Sequence, residues 1–260
     1  MPNLNDLIGY LTERNISFRQ CNENRISFAL KFYRDDGRAD KEELEVLQKS
    51  DLLLVRASND RYPILCPNRH INEGGWFCLG LFEDISQFTI GQWINNLKQF
   101  LDAQQKCEST GVWPRDSEIK EWAHGDGANY QKVVEQYYGQ FKENCLGLTL
   151  EQLSVVEVNS AKLDKKLYHV YADDELILVG DQNQVLNKRY ACICDPYGLN
   201  KHRSIGKCSD QCSKVVFMVA INDYLLHKAE KEFWDSFGKR TCCNTMKNCN
   251  FKNDEDKNAN

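Results

Sequence analysis

The chain has 260 residues, of which 42% are hydrophobic and 11% aromatic, enough to bury one large core or two smaller ones. Its formal net charge of −5 gives no global signature of nucleic-acid binding, so we expect no nucleic-acid partner. No stretch approaches the roughly 18 apolar residues of a membrane span, and the start lacks the basic and apolar regions of a secretory signal. We therefore expect a cytoplasmic protein without a membrane partner.

The first part of the sequence predicts a helix followed by antiparallel strands. Apolar residues at helical spacing predict an amphipathic helix over 4–11. The segments 16–21 and 25–34 alternate apolar and polar residues around an Asn-Glu-Asn turn, which predicts a hairpin. Residues 35–45 are polar and charged, which predicts a loop or a short exposed helix. Residues 51–57 contain an apolar run that predicts a buried strand.

The following segment carries the most informative pattern in the chain. A Tyr-Pro pair at 62–63 precedes His70, Ile71 and Asn72, and two glycines then precede Cys78 and a leucine. Glycines let a backbone turn without a steric penalty, and an attackable cysteine is a nucleophile. This pattern predicts a turn that presents a reactive thiol.

The order of these residues resembles the active-site segment of ubiquitin-conjugating (E2) enzymes. Apolar faces over 89–101 and 130–141 predict two helices after the cysteine. The resemblance therefore implies an α+β fold with a UBC-like E2 core, made of an N-terminal helix, an antiparallel β-meander, a cysteine loop and C-terminal helices. It covers roughly residues 1–145.

The resemblance also implies roles for the site residues. Cys78 would accept a ubiquitin-like protein as a thioester from an E1-like adenylating enzyme and pass it to an amine of a target protein. Asn72 would stabilise the oxyanion or support the loop that does so. His70 would hold the loop and would not act as a base. No cofactor is needed for this step.

Two departures point to a subgroup of that family. Ile71 replaces the usual proline, and the spacing from Asn72 to Cys78 is shorter than usual. Bacterial E2-like proteins, often encoded beside E1-like enzymes in antiviral operons, show departures of this kind. The conjugated protein would be ubiquitin-like or, in a cyclic-nucleotide defence operon, a nucleotidyltransferase, and the sequence does not separate the two.

A second polar cluster lies downstream at His124 and Asp126. In E2 enzymes this region borders the catalytic groove, so either residue could orient the incoming lysine or accept its proton. The alternative is a tryptophan-anchored loop that leads into a helix.

The pattern changes near residue 148. Three apolar runs predict strands over 153–158, 167–172 and 176–180, and a helix follows over 215–237. We therefore predict an E2-like domain over 1–147 and a β-strand and cysteine-rich subdomain over 148–250. Residues 251–260 predict a disordered polar tail.

Seven of the 12 cysteines lie beyond residue 190. Two close pairs, Cys192 with Cys194 and Cys208 with Cys212, could wrap a structural Zn²⁺ tetrahedrally. His202 is a possible substitute ligand, and reduced cysteines without metal are the alternative. Three further cysteines could form a second, partial site: Cys242, Cys243 and Cys249.

Three other functions stay open at this point. The chain could be a catalytically inert E2-like scaffold, or a zinc-stabilised protein-interaction module. A cysteine hydrolase would need a base beside Cys78, and only His70 and His124 lie in the N-terminal part.

Overall fold

The computed structural model describes residues 1–34, 36–114, 122–144, 148–193, 204–208 and 211–252. The chain divides into two compact units: Met1–Glu121 with Phe237–Asn260, and Trp122–Ser236. The structural division lies at residue 121, whereas the sequence pattern predicts a domain boundary at residue 147. Within the described residues, no helix has the length and apolar character that crossing a membrane requires.

The first unit contains a helix, a four-stranded antiparallel meander, a short hairpin and a long helix. In chain order its elements are α1 (Leu4–Glu13), β1 (Phe18–Asn22), β2 (Arg25–Tyr33), β3 (Ala39–Lys49), β4 (Leu52–Ala57), a 3₁₀ turn (Pro67–Arg69), β5 (Ile71–Asn72), β6 (Trp76–Phe77), α2 (Phe82–Ile85) and α3 (Ile90–Thr110). The sheet order is β1-β2-β3-β4. The predicted first helix, the hairpin strands and the buried strand are confirmed.

The prediction of a loop or short helix over 35–45 is wrong, because most of this segment lies in β3. The strand is central, pairing with β2 on one side and β4 on the other. Leu44 and Val46 are buried at alternate positions. Glu42 also faces inward, where its carboxylate lies 2.8 Å from the Arg61 guanidinium. This pairing explains how so charged a segment forms a central strand.

The long helix α3 has defined ends and one buried face. Thr89 and Gln92 form a reciprocal capping box at its start, and Gly111 ends it in the left-handed region at φ 71°. The predicted apolar face is confirmed, since five of its residues are buried: Trp93, Ile94, Leu97, Phe100 and Leu101. These side chains form the core of the first unit with α1 and the meander.

The C-terminal segment, defined here as residues 237–252, belongs to this core. Met246 and Cys249 are buried in it, and the Lys247 N–H donates to the Gly111 carbonyl at 2.7 Å. The Phe251 ring, which the sequence assigns to a disordered tail, lies 5.4 Å from the Phe237 ring. Residues 253–260 of that predicted tail lie outside the described residues.

The second unit packs two helices and an antiparallel sheet. Its elements are α4 (Gly127–Asn144), a 3₁₀ turn (Leu150–Gln152), β7 (Leu153–Ser160), β8 (Lys165–Ala172), β9 (Glu175–Asp181), β10 (Gln184–Val185), a second 3₁₀ turn (Ile205–Lys207) and α5 (Cys212–Ser236). The sheet order is β10-β9-β8-β7, so the three predicted strands and the last helix are confirmed. The predicted helix over 130–141 is confirmed as α4 and lies in this second unit.

Candidate active site

The short hairpin β5–β6 contains Asn72 and lies between His70 and Cys78 in the chain. Asn72 lies opposite Trp76, and the turn between the strands uses Gly74 and Gly75 at φ 82° and 78°. Only glycine adopts such values without strain. The Gly75 N–H donates to the carbonyls of Ile64, at 2.8 Å, and Asn72, at 3.1 Å. The bond to Ile64 fixes the turn against the irregular segment that precedes the 3₁₀ turn.

Alternation along the hairpin separates a buried face from an outward one. Ile71 and Phe77 lie opposite each other and are buried, whereas Asn72 is exposed. The Cys78 N–H donates to the His70 carbonyl at 2.7 Å, which extends the ladder by one residue. The side chain of Cys78, partly exposed, therefore shares the outward face with Asn72. Such diagonal neighbours lie roughly 7–8 Å apart, within reach of one bound group.

His70 is held in a tight turn. Its backbone lies in the left-handed region at φ 52°, and its N–H donates to the Pro67 carbonyl at 2.7 Å. The imidazole packs on the buried ring of Trp113, with centroids 4.7 Å apart. This geometry suits a residue that holds the loop, the role that the resemblance implies for it.

A buried arginine anchors the same turn to α3. Arg69 is 2% exposed, its Nε donates to Gln104 Oε1 at 2.8 Å, and Gln104 Nε2 donates back to the Arg69 carbonyl at 2.6 Å. The guanidinium also lies 3.7 Å from the Glu108 carboxylate. The burial of Arg69 could not be predicted from its neighbours in the sequence, because its partner Gln104 lies 35 residues away in the chain.

The environment of Cys78 disfavours the thiolate. Burial raises the pKa of this thiol above its ordinary value, and a hydrogen bond with the Gly80 backbone offsets only part of the effect. A cysteine hydrolase activates its nucleophile with an adjacent base that lowers the thiol pKa. The opposite shift counts against the hydrolase alternative.

His124 and Asp126 lie in the second unit. The backbone N–H of His124 and its ring Nδ1 lie 3.2 and 3.1 Å from Glu230 Oε1, and the ring stacks on Phe233 at 4.9 Å. The hydrogen bond with His124 lowers the pKa of the Glu230 carboxyl. Asp126 is exposed in the turn before α4. His124 thus joins a packing network of its unit, and a catalytic role for either residue stays a prediction.

The structure brings together part of the proposed zinc site. The sulfurs of Cys208 and Cys212 lie 3.9 Å apart, and the Cys192 sulfur lies 3.6 Å from the hydroxyl of Ser213, the neighbour of Cys212. A Zn–S bond of about 2.3 Å in a tetrahedron implies sulfurs roughly 3.8 Å apart. Cys194 and the substitute ligand His202 lie outside the described residues.

Among the described residues, no three His, Cys, Asp or Glu side chains are grouped so that they could hold a metal ion. The donor chemistry and the Cys208–Cys212 distance suit zinc, so a structural site at these cysteines stays a prediction.

Comparison with models of protein families finds two matches. Residues 14–115 match a prokaryotic E2 domain, and residues 123–251 match a cysteine-rich domain found C-terminal to E2 domains. The division between the structural units, at residue 121, falls between the two matched ranges. The segment from Phe237 lies within the second matched range but belongs to the first structural unit. Neither the curated proteins nor the solved structures compared with the chain gave a match.

Proposed function

Because the chain belongs to the bacterial E2-like family, we propose that it is a conjugating enzyme that carries an activated protein on Cys78. Family membership supports a role in ubiquitin-like conjugation in general. The observation that supports the assignment to Cys78 is the register of the hairpin β5–β6, whose alternation puts Cys78, the residue after β6, on the same face as the exposed Asn72.

The proposed first step is transthiolation. Cys78 attacks the thioester carbonyl that links the carried protein to an E1-like enzyme, and the thiol proton passes to the departing E1 sulfur. No net charge is created, so a thiol whose pKa is raised need not be ionised in the resting enzyme. The Asn72 amide N–H stabilises the oxyanion that forms as the carbonyl becomes tetrahedral.

The proposed second step is aminolysis. An amine of the target attacks the Cys78 thioester, and Cys78 leaves as a thiolate that takes up the amine's proton. Burial makes this thiolate unstable relative to the thiol. Transfer therefore depends on a nearby group that takes the amine's proton and passes it on. Asp126 and His124 are our candidates for orienting the amine.

The partners follow from the same proposal. They are an E1-like adenylating enzyme, a ubiquitin-like protein or the nucleotidyltransferase of a cyclic-nucleotide defence operon, and a target protein, in bacterial antiphage defence. We further propose that Cys192, Cys194, Cys208 and Cys212 bind a structural Zn²⁺ that stabilises the second unit. Four cysteine ligands would leave no coordination position for water, so the metal would take no part in the chemistry.

The test is the intact mass of the protein under non-reducing conditions after co-expression with the products of its neighbouring genes. The wild type should carry a protein-sized adduct that a thiol reagent removes. Cys78→Ser should carry an ester that resists the reagent, and Cys21→Ser, which changes an exposed cysteine of β1, should behave as the wild type.

If wild type and Cys78→Ser both stay unmodified beside a neighbouring adenylating enzyme, the inert scaffold replaces the conjugating enzyme as our assignment. An adduct that persists unchanged in Cys78→Ala would instead move the acceptor to another residue.

A further inference from the structure

A single side chain of the four-stranded sheet reaches across to the turn of the hairpin β5–β6. Arg56, on β4, donates from Nη1 to the Gly74 carbonyl at 3.2 Å. Its guanidinium carbon also lies 4.7 Å from the centre of the Trp76 ring. Gly74 belongs to the turn, and Trp76 is the first residue of β6. One cation thus contacts both the turn and the strand that leads to Cys78.

Glu45 orients this arginine. It lies directly opposite Arg56 in the pairing of β3 with β4. Arg56 Nε donates to Glu45 Oε1 at 3.0 Å, and Nη2 lies 2.9 Å from the same oxygen. Two nitrogens of the planar guanidinium are therefore held by the sheet, which leaves Nη1 for the hairpin. Charge-assisted contacts of this kind hold a side chain in a defined geometry.

The Trp76 indole completes the contact. Trp76 lies opposite Asn72 and is partly exposed, so it shares a face of the hairpin with Asn72 and Cys78. A Cβ added to Gly74 would lie 3.2 Å from Trp76 Nε1 and 3.3 Å from its Cδ1. The missing side chain at Gly74 thus lets the indole pack against the turn, where the Arg56 cation is attracted to its ring.

A second charged contact at this turn is weaker. Arg240 of the C-terminal segment lies 3.4 Å from Glu73 Oε1, and the two side chains are 41% and 77% exposed. Exposed ion pairs of this kind contribute little to stability. Arg56, with three contacts on two sides, is therefore the stronger restraint on the turn.

We infer that Arg56 is a positioning residue for the loading of Cys78, an inference that rests on the proposed function. Trp76 precedes Cys78 by two residues, about 7 Å along an extended chain. By holding Gly74 and Trp76, Arg56 fixes the backbone that presents the thiol. Loading needs the sulfur about 3–3.5 Å from the thioester carbonyl, and a misplacement of about 1 Å can cost about 10²-fold in rate.

Arg25 offers a matched control. Its guanidinium lies 3.5 Å from the same Glu45 oxygen, and its side chain is 34% exposed, against 35% for Arg56. It reaches Glu45 from β2, whereas Arg56 reaches it from β4, on the other side of β3. Arg25→Ala therefore removes a cation of similar exposure from Glu45 and keeps the contacts of Arg56 with the hairpin.

The experiment measures single-turnover loading of the full-length protein by the adenylating enzyme and carried protein encoded beside its gene, over a range of their concentrations. Arg56→Ala should lower the maximal loading rate about tenfold and leave the half-saturating concentration unchanged, while Arg25→Ala should load as the wild type does. Arg56→Lys should not restore the rate, because one ammonium group cannot contact Glu45, the Gly74 carbonyl and the indole together.

A second measurement needs no partner protein. The N–H groups of Gly75 and Cys78 donate the hydrogen bonds of the hairpin. In the free protein they should exchange with deuterium about tenfold faster in Arg56→Ala than in Arg25→Ala, because the hairpin opens more often once its restraint is lost.

Three results would overturn the inference: equal exchange in the two variants, equal loading by them, or a raised half-saturating concentration at an unchanged maximal rate. The last would place Arg56 in the contact with a partner. If the wild type itself does not load, the proposed function fails, and the exchange comparison still decides whether Arg56 holds the hairpin.

Discussion

Cys78 is kept protonated near neutral pH by its surroundings. Desolvation raises its pKa, and one backbone hydrogen bond at Gly80 opposes that effect. Such a thiol reacts slowly with small electrophiles in solution and depends on a bound partner that positions its carbonyl. Selectivity for an activated protein over small electrophiles is the expected result.

The first prediction concerns the pH dependence of this thiol. Because its pKa is raised, its thiolate fraction should grow about tenfold per pH unit through the neutral range and beyond the ordinary thiol value of about 8.5. Iodoacetamide labelling of the Cys78 peptide should follow that slope. A labelling rate that levels off below neutral pH would reveal an activating base.

The second prediction concerns Asn72, whose side chain is exposed on the face shared with Cys78. Asn72→Ala should slow transfer to an amine by about 10²–10³-fold, the usual effect of losing one oxyanion donor, and should slow loading less. Single-turnover assays separate the steps. Asn95→Ala, an exposed change on α3, should alter neither.

Equal losses of loading and transfer in Asn72→Ala would assign the residue to loop support. That outcome would leave Cys78 as the acceptor and remove Asn72 from the chemistry.

At the scale of elements, the hairpin β5–β6 depends on two glycines with positive φ. Gly75 has φ 78°, and a Cβ added there would meet no atom within 4 Å. Gly37, in the turn before β3, has φ 79° and the same open surroundings. An added methyl group would therefore strain the backbone equally at both sites without a clash.

This equivalence gives the third prediction. Gly75→Ala and Gly37→Ala should each lower the free energy of unfolding by about 1 kcal/mol, as measured by urea unfolding. Only Gly75→Ala should also slow loading of Cys78, because only that turn positions the hairpin. Equal loading by both variants would show that the turn geometry does not control the site.

Helices and strands with one apolar face could be predicted from the spacing of their apolar residues. Leu4, Leu7 and Leu11 are buried along α1, as their helical spacing predicts. The charged strand β3 was not predicted as a strand, because its inward-facing Glu42 depends on an ion pair with Arg61 from another part of the chain. Local periodicity carries no record of such a partner.

At the scale of the whole molecule, the second family match and the second structural unit do not coincide. The match runs to residue 251, whereas the segment from Phe237 folds with the first unit. The E2-like unit thus takes its core from both ends of the chain, with Met246 and Cys249 buried in it.

The fourth prediction follows from that arrangement. A chain ending at Ser236 should have a less stable first unit, by about 2–5 kcal/mol, because buried side chains such as Met246 leave the core. Thermal unfolding would measure the loss. A chain ending at Lys252 should keep the stability of the full-length protein, and equal stability of both truncations would contradict the shared core.

From the sequence alone we could predict most of the helices and strands, the central strand β3 excepted. The Tyr-Pro, His-x-Asn and Cys-Leu pattern and the family were also readable from it. Each of these depends on residues close together in the chain, where spacing and turn chemistry report directly on local structure. Only the tertiary structure showed the Arg69–Gln104 anchor and the return of the C-terminal segment to the first unit. These contacts join residues far apart in the chain, and packing decides them through burial and charge that no local pattern records.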